Sequence, residues 1–210
     1  MKKVTLSIAA LLIAGATFAQ TTFGVKVGPN FSSATTKANG DKETSKILTG
    51  FAGGVYANLP LAPEFYIQPS LNYEGKGGKD KDNDNVKTRL NYLTLPIDFL
   101  FRPEMPNGSG AWIVGVGPYL GYGISGKTGY TGDNGGSANI DPFKDNDVTD
   151  AILKRFDAGA HIQVGYEMSN GFNIGLNTEL GLVNLLNNGD SDNSFRNTSF
   201  GVSVGYTLGR

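Results

Sequence analysis

The chain holds a single histidine, His161. Asp157, Gln163 and, farther along, Glu179 fall on positions of the same phase in alternating runs. An imidazole beside a carboxylate is the minimal equipment of a general base, provided that a substrate reaches it. The competing reading is a histidine satisfied by hydrogen bonds inside the fold. Lys26, Glu74, Asp98, Arg155 and Glu167 take the same kind of position elsewhere. Lys26, Glu74, Asp98, Arg155, Asp157, His161, Glu167 and Glu179 thus form a candidate inward polar network of mixed sign, which a semi-dry interior obliges to pair.

Other chemistry is thinly supported. Asp80-Lys81-Asp82-Asn83-Asp84 begins like a calcium loop, but Asn85 stands where that loop needs Gly and Asn91 where it needs a bidentate Glu. Asp145-Asn146-Asp147 and Asp190-Ser191-Asp192 read as solvated loop acids. There is no nucleophile-elbow, phosphate-loop or zinc spacing. The expectation is no metal, no cofactor and no catalytic residue.

The elements that would carry these residues alternate with period two. Around His161, the residues Phe156, Ala158, Ala160, Ile162, Val164 and Tyr166 oppose Arg155, Asp157, Gly159, His161, Gln163, Gly165 and Glu167. After Met168-Ser169-Asn170-Gly171, Phe172, Ile174, Leu176, Thr178, Leu180 and Leu182 oppose Asn173, Gly175, Asn177, Glu179 and Gly181. Such alternation across a tight polar turn predicts an antiparallel hairpin. Five further runs read as strands before it: Phe23–Phe31, Phe51–Leu59, Phe65–Tyr73, Arg89–Phe101 and Trp112–Ile124. One more follows it, Ser199–Leu208. The connections between them alternate long and short. Ser32–Lys46, Gly75–Lys87, Ser125–Leu153 and Leu186–Phe195 read as long loops. Pro29, Pro69, Pro96 and Pro118 interrupt the runs, and bulges are the expected accommodation.

Composition bounds the class. Lys2-Lys3, an apolar run to Ala16 and the small-residue ending Thr17-Phe18-Ala19 predict a signal peptide over 1–19 and a single domain over 20–210. Without Lys2 and Lys3, sixteen Lys and Arg face nineteen Asp and Glu, a net charge of −3. Nothing basic enough for nucleic acid is present. The chain has no cysteine, so neither disulfides nor a lipidated cysteine hold it. Glycine supplies 30 of 210 residues and charged residues only 18%. A soluble β-protein carries more charge outside than that, where about a quarter is usual.

Two architectures fit the alternation. A soluble lipocalin-like carrier turns its apolar face inward. A membrane barrel turns it towards lipid and lines its interior with polar residues. The polar face here is built mostly of Gly, Ser, Asn, Gln and Thr, which suits the narrow interior of eight strands. The aromatic residues sit at the two ends of the apolar face. Phe23, Phe65, Phe101, Trp112, Tyr166, Phe172 and Tyr206 mark the short-turn end, and Phe31, Phe51, Tyr73, Tyr122 and Phe156 the long-loop end. Aromatic belts flanking an aliphatic band are the mark of two lipid–water boundaries. Eight steps of about 3.3 Å, tilted about 40°, cover roughly 20 Å, close to the apolar band of about 25 Å in such barrels. The expected fold is all-β, an eight-stranded antiparallel up-and-down transmembrane β-barrel.

Gly24-Val25-Lys26-Val27-Gly28-Pro29-Asn30-Phe31-Ser32, Tyr92-Leu93-Thr94-Leu95-Pro96, Gly117-Pro118-Tyr119-Leu120-Gly121-Tyr122 and Phe200-Gly201-Val202-Ser203-Val204-Gly205-Tyr206 resemble the PorT-type outer-membrane β-barrel family of Bacteroidetes. The resemblance spans the chain after the signal peptide. It implies a Gram-negative outer membrane, and some relatives serve secretion or gliding machinery; the eight-stranded barrel is expected to have both termini in the periplasm. Its motifs are architectural. One departure is the ending Leu208-Gly209-Arg210, where many outer-membrane barrels end on an aromatic residue. The expected role is non-enzymatic: a structural, binding or accessory protein presenting long extracellular loops. A narrow porin-like channel and the secreted carrier are the alternatives. Expected partners are outer-membrane lipid, lipopolysaccharide and other outer-membrane or secretion-machinery proteins.

Overall fold

The computed structural model describes residues 21–80, 86–131, 137–144 and 152–209. The expected signal peptide lies outside the described residues, as do Asp82, Asp84, Asp145 and Asp147. The strands are β1 (Thr22–Ala38), β2 (Asp41–Thr44), β3 (Leu48–Ala62), β4 (Phe65–Lys79), β5 (Val86–Phe101), β6 (Gly110–Thr131), β7 (Ser137–Ile140), β8 (Phe156–Met168), β9 (Phe172–Gly181) and β10 (Ser194–Leu208). Eight of them follow one another around a ring in the order β1-β3-β4-β5-β6-β8-β9-β10, and β10 pairs back onto β1 from Phe23 opposite Leu208 to Lys37 opposite Ser194. Every pairing is antiparallel. The sheet is therefore a closed eight-stranded barrel. Closure satisfies the edge groups that lipid cannot. The two short strands are extensions at the loop end, where β2 pairs with β1 and β7 with β6.

The apolar face looks outward. Ile162, Leu176 and Val204 are 40%, 47% and 41% exposed, whereas His161, Glu179 and Asp98 on the opposite face are buried. The soluble-carrier alternative needs the reverse and falls on this point. At the short-turn end the aromatic residues meet in pairs. Phe65 stands opposite Phe101, Trp112 opposite Tyr166 and Phe172 opposite Tyr206. Ring centroids are 5.1 Å apart for Phe65 and Phe101 and 5.4 Å for Trp112 and Tyr166. The Tyr166 hydroxyl lies 2.9 Å from Ser109 Oγ in the turn, so its polar tip faces the aqueous side. At the other end Leu93 lies between Tyr73 and Tyr122, and Tyr122 is opposite Phe156.

Two expectations need correction. None of the four expected long loops is loop throughout: β1 runs to Ala38 and β2 follows at Asp41–Thr44, β4 runs to Lys79 and β5 starts at Val86, β6 reaches Thr131 and β7 follows it, and β10 starts at Ser194. Once the strands leave the apolar band, their outward residues no longer need to be apolar, so the alternation that reveals a strand disappears. The prolines do not make bulges either. Each is paired on one side and faces a gap on the other. Pro29 is opposite Phe51, and the β1–β10 ladder skips from Val27 to Asn30 without losing register. Pro118 is opposite Ala160, and the β5–β6 ladder skips from Pro96 to Phe99. The missing N–H falls on the skipped side, which leaves no donor unpaired. Register shifts occur elsewhere, at Pro60/Ala62 and Asn91/Tyr92.

Glycine on the inner face makes room for large neighbours. A Cβ on Gly24 would overlap the Tyr56 ring laid across it from the next strand. Large and small inward residues thereby interlock in a bore too narrow for two large ones side by side.

Candidate lumen network and its cap

The interior divides into three layers. Nearest the short turns, Arg102 at the end of β5 pairs with Glu167 of β8, and the Arg102 guanidinium lies 5.6 Å from the Tyr66 ring centre. Thr207 Oγ1 donates to Glu167 Oε2 at 2.6 Å. Tyr56 and Thr207 hydroxyls are 2.8 Å apart, and Asn173 Nδ2 donates to the Tyr56 oxygen at 2.9 Å. The hydrogen bonds and the ion pair tie β3, the end of β5, β8, β9 and β10 together, and the ring contact adds β4.

The middle layer contains His161. Its Nδ1 lies 2.8 Å and 2.9 Å from the two oxygens of Asp98. Gln163 Nε2 also donates to Asp98, at 2.6 Å, and to Gln68 Oε1 at 2.8 Å. Gln68 donates onward to Asn58, and Asn58 to Thr22. His161 is 1% exposed and Asp98 fully buried. Lys26 lies between this layer and the next, lining two small cavities of about 30 and 10 Å³. A buried water needs roughly 10–15 Å³, so the larger cavity has room for water and for little else.

The third layer centres on Lys76. Its ammonium donates to Glu179 Oε2 at 2.5 Å, lies 3.5 Å from Asp157 Oδ2 and 3.9 Å from Glu74 Oε2. Tyr119 and Tyr92 place their rings 4.5 Å and 5.2 Å from it. The Tyr119 hydroxyl donates to Asp157 Oδ2 at 3.1 Å. A cation taken out of water is held here by carboxylates and ring faces together. Above it, Leu90, Tyr92, Phe143, Leu153 and Leu185 form a buried apolar cluster at the loop-side mouth.

Seven of the eight expected network residues face this interior. Arg155 does not join them. It sits at the mouth, donates to the carbonyls of Gly123 and Phe143 at 2.8 Å and 3.3 Å, and lies 5.3 Å from the Phe143 ring centre. It fastens the cap rather than balancing an acid. Sequence reasoning missed the two cations that organise the interior. Lys76 lay in a stretch read as loop, and Arg102 in a stretch read as turn. Their signal was phase alone: both continue the inward register of Glu74 and Asp98. Outside the barrel wall, Asp190 Oδ1 accepts from the backbone N–H of Asp192 and Asn193 at 2.9 Å and 2.7 Å. These backbone bonds hold its carboxyl below the usual aspartate range.

Residues 18–187 match the model of the outer membrane protein beta-barrel domain family. The chain belongs to that family. Its place is accordingly the outer membrane of a Gram-negative envelope. Among solved structures, the chain is similar to Ail, the attachment invasion locus protein of Yersinia pestis, at 12% identity, 90% coverage of this chain, 100% of that one and a TM-score of 0.46. It is similar to Neisserial surface protein A at 9% identity, 88% and 96% coverage and a TM-score of 0.46. The outer membrane enzyme PagL gives 11% identity, 86% and 99% coverage and a TM-score of 0.45. No curated protein matches the sequence significantly.

Proposed function

We propose that this barrel is a non-enzymatic outer-membrane protein whose lumen is a structural plug and whose loop-side hairpins contact partners. The observation that carries the reading is Lys76. It draws Glu179, Asp157 and Glu74 together across the bore, beneath the apolar cluster of Tyr92 and Phe143. His161, the one candidate base, lies below that closure. A base that a substrate cannot reach has no reaction to perform.

On this reading the first nineteen residues are removed on export and both termini lie in the periplasm. The long-loop end then faces outward, and the chain serves as an accessory of PorT type. Its partners are outer-membrane lipid and lipopolysaccharide together with other proteins of that membrane. Specificity on such a scaffold resides in loops carried by rigid strands. Native outer membranes are solubilised in detergent, and the intact protein is compared with a variant lacking the tip of the β6–β7 extension. Loss of a co-purifying protein with retained barrel folding supports the reading. An unchanged set of partners counts against it.

The narrow channel remains a second reading because Lys26 lines interior cavities. Planar bilayers separate the two: the plug predicts silence, and steady ion conductance by the folded protein would replace it with the channel.

A further inference from the structure

Three strands rise past the loop-side aromatic belt, and their outward residues change in order. Level with the belt, Leu93 stands between Tyr73 and Tyr122. One row above, Asn91 is opposite Ser125, and its Nδ2 donates to Ser125 Oγ at 2.9 Å. In the next row Arg89 is opposite Lys127, and above it Lys87 is opposite Lys79. Lys87, Arg89 and Lys127 are exposed, and Lys79 is half-buried.

Two directly opposed like-charge pairs are an unfavourable arrangement in a sheet, with side chains only about 5 Å apart at Cβ. Among the described residues, the outward positions of these rows on β4, β5 and β6 hold no acid to offset them: Gly75 and Gly77 fill the remaining places on β4 and Gly129 the one opposite Lys87 on β6. Asp80, next to Lys79, falls on the other phase of the chain, and its backbone N–H donates to the Val86 carbonyl at 3.0 Å. A fixed cation cluster of this kind is relieved when an anion sits among the side chains.

Height indicates which anion. Arg89 is four residues above Leu93, about 13 Å along the strand and roughly 10 Å along the membrane normal at a tilt near 40°. The headgroup zone on each side of a bilayer is about 5–8 Å deep. Arg and Lys bridge that difference by laying their stems along the wall and bending the charge towards it. The guanidinium of Arg89 presents the fork that fits phosphate oxygens in pairs. We propose that the outer wall of β4–β5–β6 binds the phosphorylated headgroup of an outer-leaflet lipid through Lys79, Lys87, Arg89 and Lys127. The proposal rests on the reading that the long-loop end faces outward.

The test uses the chain from residue 20 onward, refolded into nanodiscs of dimyristoyl phosphatidylcholine containing either diphosphorylated or dephosphorylated lipid A. Co-purifying lipid A is counted by native mass spectrometry. A variant carrying Lys79→Gln, Lys87→Gln, Arg89→Gln and Lys127→Gln is compared with a control carrying Lys42→Gln and Lys144→Gln. The intact protein and the control should retain at least about fivefold more of the phosphorylated form, as charge-assisted hydrogen bonds require, and the fourfold variant should lose that preference. Its thermal midpoint in discs without lipid A should equal or exceed that of the intact protein, because the opposed charges are gone. Equal retention by the fourfold variant overturns the proposal. Release of the lipid by millimolar inorganic phosphate also overturns it, in favour of a soluble anion. Heat-modifiable migration on gels reports insertion separately. A chain that inserts but shows no preference sinks the headgroup site alone, whereas one that never inserts sinks the barrel reading with it.

Discussion

The Lys76 ammonium of β4 lies 2.5 Å from Glu179 Oε2 of β9, on the far side of the bore. The two residues are on strands that do not pair with each other, so the contact braces the ring across its diameter. Their side chains are 1% and 3% exposed. Removing one member of a buried pair leaves the other charge uncompensated, at a cost of about 3–5 kcal/mol. Lys76→Met should therefore lower stability by that amount in urea unfolding from phospholipid vesicles. Lys76→Met combined with Glu179→Gln should recover part of it. A single variant within about 0.5 kcal/mol of the parent would show that the contact is a surface-like pair of little consequence.

Packing gives a second prediction. Gly24 and Tyr56 face inward on adjacent strands, and the ring occupies the place a side chain at residue 24 would take. Overfilling such a site costs about 1–3 kcal/mol. Gly24→Ala should show this loss in the same unfolding measurement. In a Tyr56→Ala background the Gly24→Ala change should cost far less, because the space is already vacated. An equal loss in both backgrounds would place the defect in the backbone of β1 instead.

How far the sequence revealed this molecule depended on where each residue meets lipid. Inside the apolar band every outward position must be apolar, so the eight strands, their phase and both aromatic belts were readable from Phe23, Tyr122, Phe156 and their neighbours. Above the band that constraint ends. The upper parts of β5 and β6 present Lys87 and Lys127 outward, and nothing in such residues distinguishes strand from loop. The network was partly readable for the same reason. Asp98 and His161 sit on well-marked strands, whereas Lys76 and Arg102 lie just beyond the marked segments at either end. Arg155 was assigned by phase to the lumen. The chain enters β8 there from the loop, and the cap formed by Phe143 and Gly123 was invisible in one dimension.

The loop between β9 and β10 should respond to acid in a defined direction. Asp190 accepts two backbone N–H bonds, from Asp192 and Asn193, and a third from Asn193 Nδ2 at 3.1 Å. They hold its carboxyl below the ordinary value. A depressed native value means that the loop's contribution is complete above the unfolded aspartate range near pH 4, declines as pH falls towards the native value and is absent below it. Amide exchange at Asp192 and Asn193 should accelerate across that window. Asp190→Asn should leave exchange at those amides without this pH dependence. Constant protection through the titration in the parent would mean that other contacts order the loop.

Trp112 is the chain's single tryptophan, 50% exposed on the outer wall and packed edge-on against Tyr166 at the short-turn end. An indole at that height has its ring in the boundary between hydrocarbon and headgroups, with its N–H towards water. Its emission reports one place without interference from another tryptophan. On folding into vesicles the emission should shift to the blue. Lipids brominated near the glycerol end of the acyl chain should quench it more than lipids brominated near the terminal methyl. Aqueous iodide should quench it less than it quenches the urea-unfolded chain. Strongest quenching by iodide, with no effect of either brominated lipid, would put this wall in water, and the outward-facing apolar band would lose its explanation.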